Sequence, residues 1–223
     1  MHQQISKKLL LYFFLLIIFG TINNKNLILF EFFKIKEINI VDIDFKDNQN
    51  FLSNLNLFKK QNILFLSEID IKKKISENEL IENFSIFKKY PSTLLINIKK
   101  TNFLAYLKKD NELFLIGSNG RLIKTKDKIK DLPHIFGNFE NKDFFKLKNI
   151  IDKSDLDFEK IDNLYFFPSG RWDIETNFGI MIKLPSENLK ESLELSLEII
   201  KDKKFDNIKI IDLRQNNQVI VDG

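Results

Sequence analysis

The sequence predicts an α+β protein in three parts: an N-terminal membrane-spanning helix, a unit ordered strand, helix, helix, strand, strand, and a β-rich domain with flanking helices and an edge strand near the C-terminus. Three observations carry this. Leu9 to Ile22, LLLYFFLLIIFGTI, is an almost unbroken apolar run behind Lys7 and Lys8. Apolar residues then recur at helical spacing from Phe51 to Ile75 and switch to alternation from Ile81 to Ile98. Beyond Thr101 short apolar runs are separated by Asn, Asp and Gly turn signals. The boundaries that follow are a tail at 1–8, a membrane helix and juxtamembrane segment at 9–33, and folded domains at 34–100 and 101–223.

In the apolar run, Leu9, Phe13, Leu16, Phe19 and Ile22 are the expected membrane anchor. The uncharged stretch from Leu9 to Asn24 is about 16 residues, or about 24 Å at 1.5 Å per residue, against a hydrocarbon core of about 30 Å. Snorkelling by Lys7, Lys8 and Lys25 and local thinning of the bilayer offset the shortfall, as does a helix continued toward Phe33. A cleaved signal peptide is the alternative, but Ile22, Asn23 and Asn24 make a poor exit and no A-x-A-like site follows. Retention with the short tail inside is favoured, although lysines on both flanks leave the orientation open on charge alone.

Phe33 to Phe45 reads as a strand, followed by a helix capped by Asp47 or Asn48 and carrying Phe51, Leu55 and Phe58. Glu68 to Asn78 forms a second helix with Ile71 and Ile75 on its inner stripe. Ile81 to Lys89 is a strand stopped by Pro91, which lacks a ladder donor, and Leu94, Ile96 and Ile98 mark its antiparallel neighbour. A meander follows at 104–108, 113–116 and 121–125, turning at Lys109-Asp110-Asn111 and at Gly117-Ser118-Asn119-Gly120. Leu132 to Gly137 reads as a loop or bulge, and Asn141 to Ile151 as a helix with Phe144, Leu147 and Ile151 on one face. Strands at 161–167, 172–176 and 180–184 precede a helix capped by Ser186, with Leu189, Leu193, Leu197 and Ile200 as its stripe. Strands at 208–213 and 219–221 close the chain.

Composition narrows the function. Lys and Arg total 35 against 31 Asp and Glu, a net +4 carried mostly by lysine, so the arginine clusters that read nucleic acid are missing. The longest basic run, Lys72 to Lys74, is a solvated helix face. No cysteine exists, which excludes disulfides and thiolate metal sites. The seven glycines form no phosphate-cradling cluster, and His2 and His134 have no nucleophile nearby in sequence. Ser85 and Lys88 match S-x-x-K, but on a strand residues three apart point to opposite faces. The acidic groups Asp42, Asp44, Asp47 and Asp155, Asp157, Glu159 lack the glycine turn and terminal glutamate of a calcium loop. The expectation is a non-enzymatic, membrane-anchored binding protein with no cofactor, no metal, no nucleic acid and no small-molecule substrate.

Several local motifs resemble those of the bacterial cell-division family FtsQ/DivIB, which carries a polypeptide-transport-associated (POTRA) domain. Phe33 to Ile40 is similar to its first strand, and Asn62-Ile63-Leu64-Phe65 to its "n-l-f" connector. Lys89-Tyr90-Pro91-Ser92-Thr93-Leu94-Leu95-Ile96-Asn97-Ile98 resembles "R-x-W-P-x-T-L-x-I-x-V", and Leu132 to Gly137 resembles "L-P-x-l-x-G". Gly170-Arg171-Trp172 and Ile211-Asp212-Leu213-Arg214 resemble the "R-W" and "v-D-L-R" segments. The family's "E-x-x-P-x-A" stands here as Lys100 to Ala105, without the glutamate and proline.

The resemblance implies a divisome scaffold at the division septum, spanning the inner membrane once with its bulk in the periplasm. It also implies recruitment through the POTRA domain and binding of FtsB/FtsL-type partners by strand addition at the β domain. A free edge at Ile210 to Arg214, running into Gln215, Asn216, Asn217 and Gln218, would receive the partner. Arg171 falls where the family places an arginine that pairs with a partner carboxylate, and Trp172, Asp212, Leu213 and Arg214 complete the expected partner-binding set. Trp172 is also a natural core residue, and the two arginines read equally as surface cations. The alternatives are a POTRA-bearing adaptor of a translocation or secretion system and an extracytoplasmic wall hydrolase.

Overall fold

Helix α1 spans Lys7–Ile22, 16 residues that are apolar around the whole circumference. Leu9 and Phe13 are each 63% exposed, Leu16 69% and Phe19 71%. The structure, a computed structural model, describes residues 7–22, 31–41, 49–126, 129, 131–202, 207–215 and 218–223, and the side chain of Ile22 is outside that description. Among the described residues no helix is long and apolar enough to cross a membrane. The expected continuation of α1 toward Phe33 runs through residues 23–30, which lie outside the described residues.

The chain divides into two units, Met1–Lys100 and Thr101–Gly223. In the first, β1 (Glu37–Ile40), α2 (Gln49–Asn56), α3 (Glu68–Ser76), β2 (Ile81–Lys89) and β3 (Thr93–Lys100) follow in sequence. Two helices between β1 and β2 carry the chain across the sheet, and the β2–β3 hairpin then seats β3 in the middle. β3 pairs parallel with β1 and antiparallel with β2. Alternation along β3 turns Leu94, Ile96 and Ile98 onto the face covered by Phe51 and Leu55 of α2 and Ile71 and Ile75 of α3. Ser67 caps α3, its hydroxyl accepting from the Asp70 N–H. Of the expected first strand, Glu37–Ile40 forms β1, while its end at 42–45 and the expected caps Asp47 and Asn48 fall outside the described residues.

The second unit is a nine-stranded sheet packed on one face by two helices. Its strands are β4 (Phe103–Lys109), β5 (Glu112–Gly117), β6 (Leu122–Thr125), β7 (His134–Phe136), β8 (Ile161–Phe166), β9 (Trp172–Thr176), β10 (Met181–Lys183), β11 (Ile210–Asp212) and β12 (Ile220–Asp222), and its helices are α4 (Asn141–Ile151) and α5 (Leu189–Lys201). The spatial order is β12-β11-β10-β9-β8-β7-β4-β5-β6. One register row, Ile135, Leu164, Ile174, Ile182 and Ile211, crosses five strands. It lies in one core with Phe144, Leu147 and Ile151 of α4 and Leu189, Leu193 and Leu197 of α5. Each such fully buried aliphatic side chain contributes about 1.5–3 kcal/mol.

Local turn chemistry sets the first hairpin. Asp110 and Asn111 both take positive φ, 51° and 62°, as a two-residue turn with the twist of the flanking strands requires. Two expectations are corrected. Leu132 to Gly137 is no loop, because its His134–Phe136 core is β7, parallel to both β4 and β8 in the middle of the sheet. Three residues between Pro133 and Gly137 are too few to show a period. The last helix starts at Leu189 behind a left-handed Asn188 (φ 54°), so Ser186 is not its cap.

Candidate partner-binding edge

The C-terminal side of the large sheet ends on β12, not on β11. β11 is paired on both sides, parallel with β10 and antiparallel with β12, where Ile210, Ile211 and Asp212 face Asp222, Val221 and Ile220. The Lys209 N–H donates to the Asp222 carbonyl at 2.9 Å, locking the strand's far end. Of the backbone expected to be free at Ile210 to Arg214, Ile210–Asp212 is therefore covered by β12, and the outer edge moves to Ile220–Asp222. Among the described residues no strand lies beyond β12, and Val219 and Ile220 are 38% and 50% exposed.

The face away from the helices carries a charged row leading to this edge. Asp173 on β9, Lys183 on β10, Asp212 on β11 and Ile220 on β12 are direct register neighbours. Arg214 folds back onto Asp212: its Nε donates to both carboxylate oxygens at 2.8 and 2.9 Å, its Nη2 donates to Oδ2, and its backbone N–H donates to Oδ1 at 3.1 Å. Arg171 lies over the Phe167 ring at 4.2 Å, with its Nε 4.0 Å from Asp173 Oδ1. Neither that Nε nor that Oδ1 has a hydrogen-bond partner, although both atoms are buried.

Two carboxylates in one row are thus pushed in opposite directions. Hydrogen bonds from Arg214 hold Asp212 below the usual carboxylate range. Burial pushes Asp173 up, and the nearby Arg171, Arg214 and Lys183 only partly oppose it. On the neighbouring strand, burial and a 2.7 Å hydrogen bond to Glu175 push the Tyr165 hydroxyl up to about 12, so it stays a donor.

A raised folded pKa means that the native state binds more protons than the unfolded chain between about 3.9 and that raised value. Stability from Asp173 is therefore lost as pH rises through this window. Asp212 does the reverse: its contribution is full above the unfolded pKa and is lost as pH falls through its lowered folded value. Asp173→Asn removes only the first effect. Measured against the parent by urea unfolding, the variant is expected to gain in relative stability as pH rises through the range above the ordinary carboxylate value. A difference constant across that range contradicts the assignment.

The structure separates the expected partner-binding residues. Trp172 is 2% exposed and packs at 4.8 Å from Phe166 and 5.9 Å from Phe139, and Leu213 is 6% exposed. Both belong to the core. Arg171, Asp212 and Arg214 come together on the open face, and Gln215 and Gln218 close the turn into β12, the Gln218 N–H donating to the Gln215 carbonyl. Asn216 and Asn217 lie outside the described residues. Sequence reasoning missed Asp173, Lys183 and the groove of about 370 Å³ between α5 and this turn, where Leu195, Leu213 and Val219 form the apolar lining. The alternation of Asp173 with Trp172 and Ile174 was the available signal for an outward-facing carboxylate. Of the acidic groups considered for a cation, Asp155 pairs with Lys201 and Asp157 caps the short helical turn at Phe158–Lys160.

Comparison with known proteins places this fold. Residues 105–214 match the family described as cell division protein FtsQ/DivIB, C-terminal. The chain is similar to the cell division protein FtsQ of Rickettsia bellii, 28% identical over 193 residues, covering 85% of this chain and 72% of that protein. It is similar also to DivIB of Clostridium tetani, 26% identical over 146 residues, and to DivIB of Clostridium botulinum, 31% identical over 139 residues. These matches cover 57% and 60% of this chain but only 55% and 51% of the clostridial proteins. The extracytoplasmic domain of DivIB from Geobacillus stearothermophilus aligns over 43% of this chain and 87% of that one, with 17% identity and a TM-score of 0.34. Residues 105–214 are thus an FtsQ/DivIB C-terminal domain of the cell-division family, and relatives named FtsQ extend the similarity to 85% of the chain.

Proposed function

We propose that this protein is a single-pass scaffold of the division machinery at the septum, held in the inner membrane by α1 with its tail in the cytoplasm. Both folded units then lie in the periplasm. The 34–100 region acts as a POTRA domain that directs recruitment, and the 101–223 domain binds an FtsB-type partner, itself joined to an FtsL-type protein. The outer edge of β12 is the observation that carries this reading. A terminal strand presents N–H and C=O groups that an extended segment of a partner completes, and alternate side chains add specificity.

The charged row supports the same surface. A strand laid along β12 runs beside Ile220 and Asp222 on the open face and Val221 on the helix face. Arg171, whose side chain is partly exposed over the Phe167 ring, presents a guanidinium suited to a carboxylate of the partner. The test is a photoreactive residue at Ile220 of the full chain in dividing cells, with Thr125 on the opposite sheet edge as the comparison. The expected result is a crosslink to an FtsB-type protein from position 220 and none from 125, with a fluorescent fusion at midcell. A folded, expressed protein that gives no such crosslink, or stains the envelope uniformly, sinks the proposal.

A further inference from the structure

We infer that the connector between α2 and α3 lies on the membrane surface and docks the first unit onto anionic lipid; this rests on α1 being a membrane anchor. The connector and the first turn of α3 turn apolar side chains outward. Leu64, Phe65 and Ile69 are 45%, 75% and 77% exposed, while their neighbours Ile63, Leu66 and Ile71 fill the core at 0%, 5% and 0%. Single exposed apolar residues are ordinary; three within six positions make a patch that asks for an occupant.

The hydrogen bonding says which occupant. The segment that follows the anchor is tied directly to this connector: the Ile35 N–H donates to the Gln61 carbonyl, the Ile63 N–H to the Phe33 carbonyl, and the Lys60 N–H to the Ile35 carbonyl. Lys34 and Asn62 face each other as a bridge. Phe32, 54% exposed, leads into that ladder and adds a ring at the junction. Residues 23–30, the piece between α1 and this ladder, reach at most roughly 30 Å even when extended. The connector is thus tethered within roughly 30 Å of the end of α1.

Charge points the same way. From Gln49 to Ser76 the chain holds five lysines, Lys59, Lys60 and Lys72 to Lys74, against two carboxylates, Glu68 and Asp70, which flank Ile69; Lys59 and Lys60 are exposed. Apolar and aromatic side chains rimmed by lysine are the composition of an interfacial lipid contact, where rings sit at headgroup level and lysines meet anionic lipid.

The chain has no cysteine, so single-cysteine labels report unambiguously. Full-length protein labelled at Phe13→Cys, Phe65→Cys, Ile69→Cys or Phe87→Cys is reconstituted in vesicles of phosphatidylcholine and phosphatidylglycerol carrying a lipid-borne quencher. Phe87 is 49% exposed on the sheet face away from α2 and α3 and serves as the aqueous reference. The expected result is quenching at 13, 65 and 69 several-fold stronger than at 87, with the effect at 65 and 69 reduced when phosphatidylglycerol is left out. Quenching at 13 alone overturns the lipid contact, leaves the anchor standing and assigns the patch to a protein. No quenching at 13 removes the anchor and the inference with it. Equal quenching at all four positions marks indiscriminate adsorption and overturns the inference as well.

Discussion

Gly137→Ala is expected to be among the most damaging single-methyl changes in this protein. Gly137 follows β7 at φ +106°, a region that side chains other than glycine rarely enter. A Cβ built there lies 2.1 Å from the Phe166 carbonyl oxygen and 3.0 Å from its carbon. Backbone cannot swing aside as a side-chain tip does, so the strand β7 or the end of β8 has to move, and β7 holds the two halves of the sheet together. The cost is about 3 kcal/mol or more. Gly179→Ala is the control, since Gly179 also has positive φ, +85°, but nothing lies within 4 Å of its Cβ position. That variant loses only about 1 kcal/mol. Urea unfolding of both variants, followed by circular dichroism, measures the difference, and equal losses show that the clash with Phe166 is not the cause. The final glycine of the "L-P-x-l-x-G" segment thus has a packing reason.

Trp172→Ala is expected to cost about 3–5 kcal/mol of stability. Trp172 is the sole tryptophan and one of the largest fully buried side chains. It packs against Phe166 and Phe139 in the core of the second unit. Circular dichroism again reads the outcome, because the substitution removes the fluorescent probe. A variant with unchanged stability that no longer crosslinks through position 220 shows Trp172 to be a contact and not core. The residue before it has the opposite character: Arg171 spreads over Phe167 on the open face, where Arg171→Ala is expected to weaken partner capture with less effect on folding.

The parts of this fold that could be read from sequence share a physical origin. α4 and α5 show their stripes, Phe144, Leu147, Ile151 and Leu189, Leu193, Leu197, because a helix closes its hydrogen bonds within a few residues. The β2–β3 and β4–β5 hairpins are legible for the same reason, the second from its short apolar strands and the turn at Lys109-Asp110-Asn111. The bulk of the charged cluster was less legible. Asp212 and Arg214, two residues apart, could be paired in advance, but Asp173 and Lys183 join them only through strand register.

By itself, then, the sequence determined the apolar N-terminal run, the order of strands and helices in the first unit and all but β7 in the second, and the family motifs with their spacing. Only the tertiary structure decided that three residues after Pro133 form a central parallel strand and that Ile220–Asp222 closes over β11 and takes its place as the outer edge. Strand order is set by backbone hydrogen bonds between segments far apart in the chain, and such bonds leave no mark on the local alternation of side chains.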